Sequence, residues 1–255
     1  SVPELAAAAL FPLLERALNA GTSVFLRGHP GIGKSQIAAQ LAGRMGKTLV
    51  DVRLSQQEPA ALHGISTKNE DKGLMERLPL EWIDQVVREP CLLFLDELNA
   101  APTNAHQAAA YEIVLERRAA GRDFHPGTVV LAAGNLEEDQ AIVRPLSSAL
   151  RNRFLHFILK PSRKDWLQWA TQRELDERII EFIRATGDRS LFCPDDGYAF
   201  PTPRSWEMLH HVLRIQDDEN PGDKFELEML AAAAVGKGAA RAFVKFTSLN
   251  FCCDP

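Results

Sequence analysis

The chain has 255 residues, of which 45% are hydrophobic and 25% are charged, and its formal net charge is −5. This composition is ordinary for a soluble globular protein with one large domain, or with one domain and a small appendage. No apolar run approaches the roughly 20 residues that span a bilayer, and the sequence shows no obvious basic stripe of the kind found in nucleic-acid-binding proteins, which leaves a local basic patch open.

The opening segment is rich in alanine and leucine between Leu5 and Ala20. It has no basic start, and Pro12 interrupts it, so we do not interpret it as a signal peptide. The spacing of the cysteines matches neither a zinc motif nor a disulfide framework. They are Cys91, Cys193, Cys252 and Cys253. We therefore predict a reduced, cytoplasmic protein.

Five short apolar segments are predicted to be buried strands. They are continuous rather than alternating, which is typical of parallel strands covered on both faces. The predicted strands are Ser23–Arg27, Thr48–Leu54, Cys91–Asp96, Thr128–Ala133 and Phe154–Leu159. The helices predicted between them are Ser35–Arg44, Leu80–Arg88 and Asn104–Arg118. Strands that alternate with helices indicate a doubly wound α/β sheet.

The character of the chain changes after Lys160. Pro161 ends the last predicted strand, and Ser162 is a residue type that caps helices. No convincing strand follows. The helices predicted in this part are Arg163–Gln172, Leu175–Thr186, Pro203–Ile215, Lys224–Val235 and Ala239–Thr247. The sequence therefore predicts an α/β domain over residues 1–160 and a small helical domain over residues 161–255.

A glycine-rich segment follows the first predicted strand and opens the first predicted helix. It reads Gly-His-Pro-Gly-Ile-Gly-Lys-Ser and fits G-x-x-x-x-G-K-[ST], the phosphate-binding P-loop, in the context that this motif requires. Its glycines let backbone N–H groups converge on phosphates. We predict that Lys34 neutralises the outer phosphates and that the Ser35 hydroxyl binds Mg²⁺. The predicted nucleotide-binding residues are Gly28, His29, Pro30, Gly31, Ile32, Gly33, Lys34, Ser35 and Gln36.

Two carboxylates, Asp96 and Glu97, end the third predicted strand. A buried strand that ends in Asp is the usual partner of a P-loop, with the Asp holding Mg²⁺. We predict that Glu97 is the general base that polarises the attacking water. The next strand ends in Asn135, which could bond the γ-phosphate or the water. Taken alone, however, an Asn at a strand end is more often a turn residue.

With these motifs in this order, the chain resembles the AAA+ ATPases, and within them the MoxR-type (dynein-related) branch. Residues Leu95–Pro102 are similar to that branch's D-E-I-N-R-A-P signature, except that Ala100 replaces the arginine. Asn135 stands at the family's sensor 1 position. Pro145–Phe154 is similar to the segment that carries the arginine finger, and Phe200–Trp206 is similar to the sensor 2 segment.

The resemblance implies roles for three arginines and two inserts. Arg153 would reach the γ-phosphate of a neighbouring subunit, with Arg151 as the alternative, and Arg204 would contact its own subunit's nucleotide. Each arginine could instead be structural, as a solvated basic pair, a salt bridge or a helix brace. Residues Ser55–Leu78 and Arg117–Gly127 are similar to the family's two inserts, which would face a central pore.

The resemblance also implies a function. It implies a homo-oligomeric, hexameric ring that hydrolyses ATP with Mg²⁺ and remodels or activates a protein partner, in the manner of a chaperone. Partners in this branch often carry a von Willebrand factor A domain. Three alternatives stay open: an AAA+ motor subunit acting on nucleic acid or in a restriction or defence complex, a non-ring P-loop enzyme such as a small-molecule kinase, and a GTPase.

Overall fold

The computed structural model describes residues 2–100, 103–137, 139, 145–194, 197–219 and 223–251. The chain divides into two compact units. The first comprises residues 1–30 and 34–159, and the second comprises residues 31–33 and 160–255. Residues Ala101 and Pro102 of the signature segment, together with Cys252 and Cys253, lie outside the described residues.

A six-stranded parallel sheet forms the centre of the first unit. The strands of this unit are β1 (Glu4–Leu5), β2 (Ser23–Arg27), β3 (Thr48–Arg53), β4 (Ile65–Asn69), β5 (Leu74–Leu78), β6 (Cys91–Asp96), β7 (Arg118–Ala119), β8 (Arg122–Asp123), β9 (Val129–Gly134) and β10 (Phe154–Leu159). The sheet order is β1-β10-β2-β9-β6-β3, while β4–β5 and β7–β8 form separate antiparallel pairs.

The helices of the first unit flank this sheet. They are α1 (Ala7–Asn19), α2 (Lys34–Arg44), α3 (Pro59–Leu62), α4 (Glu81–Arg88), α5 (Asn104–Tyr111) and α6 (Ser148–Arg151). Every residue of β6 and β9 is buried. Continuous burial explains why all of β9, and all of β6 before Asp96, is apolar, since these parallel strands have no solvent face. The prediction of a doubly wound α/β sheet is therefore confirmed.

Most predicted strand bounds agree with the structure, but several elements were not predicted. The strand predicted to end at Leu54 ends at Arg53, because Leu54 begins a 3₁₀ turn. The strand predicted from Thr128 begins at Val129 and ends at Gly134. Strand β1, helix α1 and the hairpin β4–β5 were not predicted.

The predicted helix Asn104–Arg118 was too long. Helix α5 ends at Tyr111, a π-helical turn follows over Glu112–Glu116, and Arg117 has a left-handed φ of 53°. The chain then enters the β7–β8 hairpin. The left-handed residue stops the helix because its backbone conformation cannot continue the right-handed hydrogen-bond pattern.

The second unit is helical. Its helices are α7 (Arg163–Gln172), α8 (Glu177–Thr186), α9 (Asp188–Leu191), α10 (Pro203–Glu219) and α11 (Lys224–Asn250). The two last predicted helices form α11, which is interrupted at Gly236 (φ 80°, ψ 157°). A Cβ at Gly236 would lie 2.4 Å from the carbonyl oxygen of Ala199, so the chain passes too closely there for any side chain. Across the described part of the chain, no helix has the length and apolar character needed to cross a membrane.

Candidate functional site

The glycine-rich loop joins β2 to α2. Gly31 and Gly33 have φ angles of 77° and 96°, a left-handed region that side chains disfavour. Helix α2 begins at Lys34, so its first backbone N–H groups and its positive end belong to the same loop. The loop therefore has the backbone conformation and polarity that favour phosphate groups.

The side chain of Lys34 is almost fully buried. Its Nζ donates hydrogen bonds to the carbonyl oxygens of Gly28 (2.6 Å) and His29 (2.9 Å) and to Oδ1 of Asn135 (3.0 Å). The structure thus brings together two predicted site residues, Lys34 at the start of α2 and Asn135 just after β9. The ammonium group lies where the loop and the end of β9 meet.

Ser35 and Asp96 also lie together. The Ser35 hydroxyl donates to Oδ2 of Asp96 at 3.3 Å, and Oδ1 of Asp96 accepts the Glu97 backbone N–H at 2.9 Å. A hydroxyl and a carboxylate are the hard oxygen ligands that Mg²⁺ prefers, and that ion usually keeps waters and substrate phosphates as its remaining ligands. Among the described residues no group of three or more His, Cys, Asp and Glu side chains is placed to hold a metal. The Ser35–Asp96 pair therefore fits Mg²⁺ in company with phosphate and water.

Asp96 has two charged neighbours on β3, Asp51 and Arg53. Partial burial, and then the charge of Asp96, raise the pKa of the Asp51 carboxyl, while Arg53 opposes this shift. Nε of Arg53 lies 3.9 Å from Oδ2 of Asp96, because the two residues are register partners on β3 and β6. A cation beside Asp96 would be stabilised by the carboxylate charge of Asp96, whereas the positive charge of Arg53 would oppose it.

Glu97 has an unusual backbone. Its φ is 54°, in the left-handed region, which costs a non-glycine residue on the order of 1–3 kcal/mol. Its carbonyl accepts the Ala100 N–H at 2.8 Å, which starts the 3₁₀ turn Leu98–Ala100. The strain turns Glu97 out of the strand direction. Backbone strain of this kind clusters at functional sites.

Two contacts of the site were not foreseen from the sequence. The side chain of Asn99 bonds both backbone groups of Asn135, and Nδ1 of His29 forms a hydrogen bond with Oδ1 of Asp139. Asp139 also accepts the Leu136 N–H at 3.0 Å. The only sequence feature that could have indicated a role for Asn99 is its position, three residues after Asp96 ends β6. No sequence signal indicates that Asp139 pairs with His29.

The predicted arginines lie in different places. Arg151 and Arg153 are exposed, at the end of α6 and just before β10. Arg151 lines a cavity of about 230 Å³ together with Asn99 and Asn135. The Arg153 side chain forms no hydrogen bond or ion pair with any residue the structure describes. Arg204 lies in the first turn of α10, in the second unit.

The remaining residues of the predicted set lie in or beside the loop. Ile32 is buried, Pro30 is exposed, and Gln36 is half-buried in the first turn of α2. A buried lysine in a glycine loop, with a Ser–Asp pair at the carboxyl ends of parallel strands, defines the class of the protein as a P-loop nucleoside triphosphatase.

Comparison with known families defines it further. Residues 24–162 match the family model AAA, described as the ATPase family associated with various cellular activities. This match covers more than half of the chain. The chain therefore belongs to the AAA family, and it is an ATPase.

Solved structures agree on the fold. RuvB of Thermotoga maritima, described as a Holliday junction branch migration motor, matches with a TM-score of 0.52 and 16% identity, over 95% of this chain and 68% of that chain. A mutant of that RuvB matches with a TM-score of 0.54 and 16% identity, over 96% and 70% of the two chains. At such identities the likeness shows the fold alone. A search of the curated proteins found no significant match.

Proposed function

We propose that this chain is a MoxR-type AAA+ ATPase, which assembles into a hexameric ring and uses Mg²⁺-dependent ATP hydrolysis to remodel or activate a protein partner. The resemblance of the signature segment supports the branch, and it suggests a partner with a von Willebrand factor A domain. The spacing of the cysteines is our reason for proposing a cytoplasmic location. The proposed domains are residues 1–160 and residues 161–255.

The proposed chemistry uses the contacts at the carboxyl ends of β6 and β9. Lys34 turns from its carbonyl partners to the phosphates, and Ser35 and Asp96 hold Mg²⁺, which neutralises charge on the phosphate oxygens. The Glu97 carboxylate accepts a proton from water as the water oxygen attacks the γ-phosphorus. The bond to the bridging oxygen breaks, so that ADP and phosphate are released.

Three further residues act on the transferred phosphate in this proposal. Asn135 orients the attacking water or a γ-phosphate oxygen. Arg153, whose side chain has no hydrogen-bond or ion-pair partner among the described residues of its own subunit, stabilises the transition-state charge in a neighbouring subunit, with Arg151 as the alternative. Arg204 contacts the nucleotide of its own subunit and couples the helical unit to the phosphate state.

The observation that carries the protein-partner proposal is the apolar surface of the β4–β5 hairpin. Ile65, Leu74, Met75 and Leu78 are 59%, 62%, 68% and 54% exposed. Ile65 pairs with Leu78 across the hairpin, and the register places Leu74 on the same face. Large apolar side chains that are exposed together are typical of a surface that binds another protein.

The charges of the hairpin do not favour nucleic acid. Between Ile65 and Leu78 there are three basic residues (Lys68, Lys72, Arg77) and three acidic residues (Glu70, Asp71, Glu76). A surface that binds the phosphate backbone would carry a basic excess. The fold shared with RuvB, a protein described as a branch migration motor, keeps the nucleic-acid motor as the second candidate.

An ATPase assay with two additives separates the candidates. We expect a permanently unfolded casein to raise ATP turnover and double-stranded DNA to leave it unchanged. The double substitution Ile65→Ser with Leu74→Ser should remove the stimulation. The matched control is Met208→Ser with Ile215→Ser, two side chains of similar exposure (56% and 61%) on α10. If DNA but not casein raised ATP turnover, with a steep salt dependence, the result would contradict the protein-partner proposal and favour the nucleic-acid motor.

A further inference from the structure

We propose that Asn99 is a positioning residue for hydrolysis, which holds Asn135 in place against Lys34. The inference rests on the proposed role of Asn135 at the phosphate. The family match shows an ATPase but assigns no task to Asn99, and the sequence motifs place it only beside the carboxylates.

The first argument is the hydrogen-bond geometry. Nδ2 of Asn99 donates to the carbonyl oxygen of Asn135 at 2.8 Å, and its Oδ1 accepts the Asn135 backbone N–H at 3.1 Å. One carboxamide thus satisfies both backbone groups of one residue, because its N–H donor and its carbonyl acceptor are on the same carbon atom. Asn99 is only 5% exposed, so water does not compete for these bonds.

The second argument is where these bonds lie in the sheet. The ladder between β6 and β9 ends at the pair Leu95–Ala132. Beyond it the backbones diverge, because Glu97 turns away with its left-handed φ of 54°. The backbone groups of Asn135 would then lack partners from β6. The Asn99 side chain supplies the two hydrogen bonds that a neighbouring strand would otherwise give to the Asn135 backbone, and it holds that backbone in place.

The third argument is steric. A Cβ on Gly134 would lie 2.4 Å from Oδ1 of Asn99, 2.8 Å from its Cγ, and 2.8 Å from Cζ of Phe25. A Cβ atom essentially never lies this close to an atom to which it is not bonded, so only glycine fits at position 134. The absence of a side chain at Gly134 is what lets Asn99 approach the end of β9.

The consequence joins three parts of the site. Asn99 belongs to the 3₁₀ turn that starts at Glu97, it fixes the backbone of Asn135, and the Asn135 side chain accepts a hydrogen bond from Lys34 at 3.0 Å. Freeing the Asn135 backbone would leave the phosphate loop intact but misplace the amide. Misplacement of a positioned group by about 1 Å can cost roughly 100-fold in rate. Removal of Asn99 should therefore lower turnover more than nucleotide binding.

The test compares steady-state kinetics of the full chain with Asn99→Ala and Asn99→Asp. The Asp variant keeps the size but sets an oxygen against the Asn135 carbonyl in place of a donor. We expect kcat to fall by about 10- to 100-fold in both variants. The affinity for a fluorescent Mg²⁺–ATP analogue should stay close to that of the unaltered protein, because Lys34 and the loop are unchanged.

A matched control separates positioning from loss of stability. Thr128 is also buried, and its Oγ1 donates to the Val86 carbonyl (3.1 Å) and accepts the Cys91 N–H (3.2 Å). It precedes the first residue of β9, whereas Asn135 follows the last. Thr128→Val should lower the Tm as Asn99→Ala does, while kcat is retained. An equal loss of kcat in Thr128→Val would overturn the proposal.

Asn135→Ala and the double variant Asn99→Ala with Asn135→Ala, together with Asn99→Ala, form a double-mutant cycle. If Asn99 acts through Asn135, the double variant is no slower than Asn135→Ala alone. If Asn135→Ala is slow and Asn99→Ala is not, the inference about Asn99 is wrong and the proposed site stands. If Asn135→Ala retains full turnover, the proposed role of Asn135 is wrong, and the inference is overturned with it.

Discussion

The Lys34 ammonium group donates a hydrogen bond of 3.0 Å to Oδ1 of Asn135, although the two residues are 101 positions apart in the chain. The contact forms because β2 and β9 are neighbours in the sheet, and each residue lies beyond the carboxyl end of its strand. The cation proposed for the phosphates therefore lies beside the amide proposed to orient water.

Removing this cation is the most direct test of the nucleotide site. We expect Lys34→Ala to abolish detectable ATP binding, because the phosphate charges would face the loop without a compensating ammonium group. Isothermal calorimetry with Mg²⁺–ATP measures this. The matched control is Lys47→Ala, since Nζ of Lys47 also donates to a backbone carbonyl, that of Gly127, at 2.6 Å. Tight ATP binding by Lys34→Ala would contradict the site.

Glu97→Gln should bind ATP but hydrolyse it about 10²- to 10⁴-fold more slowly, because an amide cannot accept the proton of the attacking water. Single-turnover hydrolysis of radiolabelled ATP measures the rate. Glu89→Gln, at the end of α4, is the control and should keep full activity. Unchanged hydrolysis in Glu97→Gln would assign the base elsewhere.

Glu97→Gly tests whether the strain at this position serves the site. Glycine adopts a φ of 54° without steric cost, so this variant should gain up to about 1 kcal/mol of stability while losing turnover. Thermal unfolding and ATPase assays on the same sample measure both. A lower Tm in Glu97→Gly would show that the backbone conformation there carries no strain.

Arg153→Ala should lose about 10³-fold or more of its turnover if the arginine acts across a subunit interface. Mixing it with inactive Lys34→Ala protein should restore part of the activity, because one interface then combines an intact loop with an intact Arg153. Arg173→Ala, an exposed arginine at the end of α7, is the control. Failure of the mixture to recover any activity would count against action in trans.

The stability of the second unit should depend on His210. His210 is buried, and its Nδ1 accepts the Asp176 N–H at 3.0 Å. Burial, and then the charge of His211, lower the pKa of His210 from its ordinary value of 6.5. The unfolded chain therefore binds the proton more readily. The stability contributed by neutral His210 is present above pH 6.5 and is lost as the pH falls below it.

Thermal unfolding at about pH 7.5 and about pH 5.5 measures this effect. We expect the Tm to fall at the lower pH, and the fall to be smaller in His210→Gln. His211→Gln, which changes an exposed neighbour, should keep most of the pH dependence. An identical fall in the unaltered protein and in His210→Gln would assign the pH dependence to other groups.

The sequence by itself determined the central strands, the phosphate loop and the two carboxylates. Each is a contiguous signal: a fully apolar strand, a glycine loop before a helix, a strand that ends in acid. Such signals are local, because an unbroken apolar run and the backbone conformations that glycines allow are properties of consecutive residues. The predicted strands Ser23–Arg27, Cys91–Asp96 and Phe154–Leu159 accordingly have the observed bounds.

Only the tertiary structure decided the partners of the site residues and the short elements. The two-residue strand β1 is too short to show a periodic pattern, and it exists because β10 offers it an edge. Asn99 and Asn135 are 36 positions apart, and no feature of either segment predicts that the two residues are in contact. Hydrogen bonds between distant segments depend on which strands become neighbours, and that depends on packing of the whole sheet.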